Sequence, residues 1–182
     1  MYRTAVLWIF LLVLAIAGVD LAIRIVRRRP RVPRMGQGAG RYLRAAINLG
    51  AFAALVAISL TGFSPVFSHD NEMSGDRLIW HVTMAPAFAL AAVAITLIWA
   101  HKNRFAPGDP WPVFARKFFF WCAVALAVPA MLSILAAMFP LFGTDDQEEL
   151  FRIHRYCAPL LAGAGLLFAW FALVTWREGR KE

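Results

Sequence analysis

A chain of 182 residues that is 60% hydrophobic, with a mean hydropathy of +0.61, is not an ordinary soluble domain. Its apolar runs are each long enough to cross a bilayer as a helix, and together they use most of the chain, which excludes a separate water-soluble active-site domain. The net charge of +8 is compatible in principle with nucleic-acid binding, but its placement between the apolar runs argues for membrane topology instead.

Five spans are predicted, at about residues 4–23, 44–66, 78–100, 118–140 and 151–176. The expected fold is therefore an all-α integral membrane protein with a single membrane domain. Helices two to five form a bundle, and the first is an N-terminal anchor. The first span begins Thr4-Ala-Val-Leu-Trp and carries Ala15-Ile-Ala17, which resembles a signal-peptide cleavage site. One arginine precedes it and a dense arginine cluster follows, and that is the charge order of an N-out anchor. Asp20 stands four residues before Arg24 on the same helical face, so a local pair between them is expected.

The connection at 24–43 is basic: Arg24, Arg27, Arg28, Arg29, Arg31, Arg34, Arg41 and Arg44 lie in or beside it, with Pro30 and Pro33 making it irregular. The second span contains Ile47-Asn-Leu and Ser59-Leu-Thr-Gly62, and Gly62 with Pro65 is expected to end or bend it. An acidic connection with Asp70, Glu72 and Asp76 follows, in which His69 reads as a solvated loop residue. The third span opens Arg77-Leu-Ile-Trp-His81 and closes at His101. Twenty residues of helix separate the two histidines by roughly 30 Å, so they cannot share a ligand, and His101 reads as an interfacial residue.

His101, Lys102, Arg104, Arg116 and Lys117 make the third connection basic, and Arg177, Arg180 and Lys181 do the same for the tail. The fourth span is aromatic at Phe118-Phe-Phe-Trp and carries Pro129, which reads as a kink whose freed carbonyl the neighbours satisfy. Asp145, Asp146, Glu148 and Glu149 precede the fifth span, where acidic side chains oppose the positive end of the helix dipole. That span opens Phe151-Arg-Ile-His154-Arg, and Ala158, Ala162, Gly163 and Gly165 form a small-residue surface below the histidine. Small residues serve helix packing or clear space for a planar ligand; spacing does not separate the two. Cys122 and Cys157 match no metal-ligand spacing and read as small buried hydrophobes.

Basic and acidic connections alternate, which places the N-terminus outside and the C-terminus in the cytoplasm. His81 and His154 then sit about one turn inside two spans that run in the same direction. An intramembrane histidine is a functional residue by default. Two at one depth make an axial pair for a haem iron, with Arg77, Arg152 and Arg155 placed to meet the anionic propionates. The competing reading has the arginines snorkelling to the interface and each histidine bonded to a carbonyl.

Three stretches, Ile47-Asn-Leu through Gly62, Trp80-His81 through Trp99-Ala-His101, and Ile153-His-Arg-Tyr156, give the chain a resemblance to bacterial cytochrome b membrane subunits. These are the gamma-type subunits that anchor nickel–iron hydrogenases and formate dehydrogenases. The resemblance covers roughly residues 42–176 and implies haem b, a quinone as electron partner, and a periplasmic or membrane redox subunit, either a c-type cytochrome or an iron–sulfur protein. Family members often hold a second haem about four turns further along each helix. Ile95 and Phe168 occupy those positions here, so one haem is expected. The function expected is electron transfer in the bacterial inner membrane. The alternative is a cofactor-free structural or assembly subunit of a larger membrane complex. A transporter is disfavoured, since neither inverted repeats nor paired midplane charges are evident.

Overall fold

In a computed structural model of the chain, which describes residues 2–26, 40–67, 73, 75–139 and 141–178, the protein is a bundle of five helices. These are α1 (Tyr2–Val26), α2 (Gly40–Phe67), α3 (Gly75–Trp99), α4 (Trp111–Ala137) and α5 (Thr144–Glu178), with a 3₁₀ turn at Ala100–Asn103. Each of the five is long and apolar enough to cross a membrane. The outer surface agrees: Leu90 and Leu97 stand 74% and 76% exposed, an arrangement that is favourable only in a hydrocarbon surround. The chain is therefore a multi-pass membrane protein. Most of the basic connection (27–39), His69, Asp70, Glu72 and the residues after 178 lie outside the described residues, as do the side chains of Arg24 and Arg177.

The helices outrun the apolar stretches that predict them. α4 starts at Trp111, seven residues before its apolar run, because Pro110 and Pro112 fit a helix start, where no N–H is needed. α5 begins at Thr144 with Asp145 and Asp146 in its first turn. Hydropathy marks the lipid-facing layer, whereas hydrogen bonding carries each helix on into the interface. Prolines 65, 86, 129 and 159 lie inside helices that continue through them. Pro65 neither stops nor replaces α2, which ends two residues later. It lacks the N–H that would bond to the Thr61 carbonyl, and the Ser64 hydroxyl donates to that oxygen instead at 2.8 Å.

α4 and α5 pack along most of their length, α3 lies mainly against α2, and α1 rests on α5. The anchor helix is part of the core, since Val6 of α1 is buried in one cluster with Phe63 and Val66 of α2 and Ala162 of α5. The small residues of α5 make these contacts possible. A Cβ on Gly163 would meet Ile9 and Val13 of α1 at 3.2 Å, and one on Gly165 would run into the Leu55 side chain of α2. The surface below His154 therefore serves helix packing. Asp20 is 5% exposed, and its Oδ2 accepts from the Trp170 indole at 3.0 Å, a partner on α5 that spacing did not reveal.

The α3–α4 connection is tied down by Asp109. Its Oδ2 accepts from Lys117 Nζ at 2.7 Å and from the Ala106 N–H at 2.9 Å. The lysine first, then the amide, holds the Asp109 carboxyl below the usual carboxylate range. A depressed folded-state pKa means that this stabilisation is present above the ordinary carboxylate value of about 3.9 and is lost as pH falls through the folded-state value. Asp109→Asn is expected to lower the stability in detergent at neutral pH by about 1–3 kcal/mol, read as a lower unfolding temperature, since the shielded ammonium loses its counter-charge. It should also flatten the loss of stability below about pH 4. An unchanged acid limb in the variant would remove Asp109 from this role.

Candidate functional site

His81 and His154 come together. They belong to α3 and α5, whose backbones scarcely approach one another, yet the ring centroids are 6.4 Å apart with their planes at 81°. Both rings are half-buried. α3 has no fully buried residue and packs mainly on α2, so the two imidazoles meet where the α3 and α5 backbones themselves stay apart.

Each ring is oriented through Nδ1. In His154, Nδ1 lies 2.7 Å from the Ala130 carbonyl of α4. In His81, Nδ1 lies 3.2 Å from the Ile58 carbonyl and 3.2 Å from Thr61 Oγ1 of α2. The Thr61 hydroxyl is within 3.0 Å of the Ile58 carbonyl and 3.1 Å of the Ala57 carbonyl, so it spends its hydrogen on its own helix. A carbonyl only accepts, so in both histidines the proton is on Nδ1. A neutral imidazole protonated at Nδ1 keeps its lone pair on Nε2. Both histidines thus meet the simple structural expectation of one carbonyl bond each, and both retain a ligating nitrogen.

Gly62 makes room for this arrangement. A Cβ there would sit 2.8 Å from Cε1 and 3.2 Å from Nδ1 of His81. Thr61 and Gly62 thus have separate duties, one holding the ring and the other admitting it. Gly62 with Pro65 is expected to end or bend α2, which does end at Phe67; the close approach of His81 is a further duty that spacing along α2 does not show.

The arginines divide. Arg77 is exposed one turn before His81 on α3. Arg152 pairs with Glu149, and the Arg155 guanidinium lies 5.7 Å from the Tyr2 ring of α1. Both line a groove of about 370 Å³ between α1 and the start of α5, together with Tyr156 and Gln147. Neither is engaged with a histidine. Their common depth was legible in the sequence, but their direction around α5 was not. His101 is exposed in the 3₁₀ turn at the opposite end of α3. Cys122 and Cys157 are free and half-buried.

Among the described residues, no three or more His, Cys, Asp or Glu side chains converge as ligands for a bare ion. Two neutral imidazoles suit a metal that brings its other donors with it. No family model, curated protein or solved structure matches the chain.

The geometry is tested by adding single methyl groups. Gly62→Ala is expected to displace the His81 ring and to cost about 1–3 kcal/mol through overpacking. Gly50→Ala meets nothing within 4 Å and should be neutral or stabilising by up to about 1 kcal/mol. Thermal unfolding in detergent with histidine NMR reads both effects. His81 resonances that stay in place in Gly62→Ala would contradict the assigned contact.

Proposed function

We propose that the chain is a membrane-embedded b-type cytochrome subunit whose single haem is held between His81 and His154. The carrying observation is the separation of the two rings. Metal–imidazole bonds run to about 2.0–2.1 Å, so rings at such a spacing would leave room for His81 and His154 each to give one nitrogen to a haem iron between them. The two rings are 6.4 Å apart before any ligand is considered.

The donor chemistry supports the same reading. Metal-bound histidines characteristically donate their second N–H to a backbone carbonyl, which fixes tautomer and orientation. Ile58 and Ala130 provide those carbonyls. A bound haem would supply one-electron exchange, and the residues of this chain would bind it, orient it and shield it from water. Arg77 stands one turn before His81 on α3, while Arg152 and Arg155, also expected to meet propionates, lie along the Tyr2 groove. The position expected for a second ligand on α5 is taken by Phe168, packed on Phe120 at 5.7 Å, which supports one haem.

On this reading the protein resembles the cytochrome b subunits of hydrogenases and formate dehydrogenases. It passes electrons between a periplasmic redox partner, a c-type cytochrome or iron–sulfur protein, and quinone in the bacterial inner membrane. The alternation of basic and acidic connections supports a periplasmic N-terminus and a cytoplasmic C-terminus.

Purified protein should carry one haem b per chain with a low-spin spectrum. His81→Ala and His154→Ala should each abolish that spectrum, and His101→Ala should preserve it. Folded variants that keep an unchanged bis-histidine spectrum would overturn the assignment, and haem-free wild-type protein would favour a structural or assembly subunit. Topology is tested separately. A Gly36→Cys variant should resist an impermeant thiol reagent applied from the periplasm, and labelling there would reverse the orientation.

A further inference from the structure

At the end of the bundle opposite His81, the connection from α3 to α4 is built rather than loose. The Trp121 indole donates to the Asn103 carbonyl at 2.9 Å, and the Asn103 side chain donates to the Trp99 carbonyl at 3.0 Å. Asp109 fastens Lys117 and the Ala106 amide, and Gly108 takes the positive φ of +84° that the turn requires. The segment is thus pinned to α4 and presents a fixed surface.

That surface has two parts. Phe105, Trp111, Phe114 and Phe118 are exposed, and neighbouring rings are 5.4–6.3 Å apart, from Phe105 to Phe114, Trp111 to Phe114 and Phe114 to Phe118. The last three share one face of α4 and run down into the span. Beside them lie the exposed cations Lys102 and Arg104, with Lys102 Nζ 5.0 Å from the Trp99 ring. Between residues 99 and 117 the sole acid is Asp109, already held by Lys117. The Trp99 indole N–H is shielded and has no acceptor among the described residues. Positive charge and donors are in excess here, at the level where the spans leave the hydrocarbon.

We propose that this surface binds an anionic phospholipid of phosphatidylglycerol type, with its phosphate at Lys102 and Arg104 and an acyl chain along Trp111, Phe114 and Phe118. Charge complementarity selects an anion. The apolar stripe alongside, joined to the residue after Arg104 by the Phe105–Phe114 ring contact, selects one that carries a hydrocarbon tail, since a free phosphate would make no use of it. A zwitterionic lipid leaves the excess charge unanswered. By the charge alternation the leaflet is the cytoplasmic one, where basic segments meet anionic headgroups. The proposal is independent of haem.

The full chain in detergent, titrated with phosphatidylglycerol, phosphatidylcholine of the same acyl chains, or inorganic phosphate, tests it by native mass spectrometry and thermal unfolding. Phosphatidylglycerol should be retained and should raise the unfolding temperature, and the other two should not. A Lys102→Ser, Arg104→Ser double variant should melt like wild type without lipid, since both side chains are exposed. It should bind phosphatidylglycerol roughly thirty-fold more weakly. Phe114→Ala with Phe118→Ala should weaken retention of the lipid as well. Equal response to both lipids, undiminished binding in the charge variant, or equal stabilisation by inorganic phosphate would each overturn the proposal.

Discussion

Inside a bilayer, a polar group has no water to fall back on, so each must find its partner within the protein. Almost every side-chain bond in this bundle follows from that constraint. Thr61, Thr96 and Ser133 return their hydroxyls to carbonyls of their own helix. Asp20 takes the indole of Trp170 on α5, the helix on which α1 rests. The two histidines, too wide to fold back on their own turns, reach neighbouring helices for their carbonyls. The bonds that make them tolerable in lipid also decide which nitrogen stays basic.

The legible part of this protein is what hydropathy and depth encode. Five spans, their order and the pairing of His81 with His154 at one level all follow from counting residues along helices. Rotation about a helix axis is another matter. Arg152 and Arg155 flank His154 in sequence, but a helix turns about 100° per residue, and both face the Tyr2 groove. Gly163 and Gly165 follow His154 along α5 and pack on α1 and α2. The further duty of Gly62 was hidden for the complementary reason. It comes from a side chain on another helix, and no local pattern reports a neighbour's bulk.

Span ends were misplaced in the same way. The apolar run of the fourth span starts well after α4 does, because Arg116 and Lys117 interrupt it. Both residues have partners, Thr175 for the arginine and Asp109 for the lysine. Charged residues that look like a boundary can sit comfortably inside a helix once a tertiary partner exists. Lys117 is 7% exposed for that reason.

The Asp20–Trp170 bond also has a consequence in time. Its partners are 150 residues apart, and α1 rests mainly on α5, the last helix of the bundle. At synthesis rates of about 5–20 residues per second, roughly 8–30 s separate the emergence of the two ends of that bond. During the interval α1 has neither its indole nor the Ala162 and Gly163 surface against which Val6, Ile9 and Val13 settle. Of the five helices α1 is made first, yet it is among the last to dock. The nascent bundle stays open on that flank until α5 has been made.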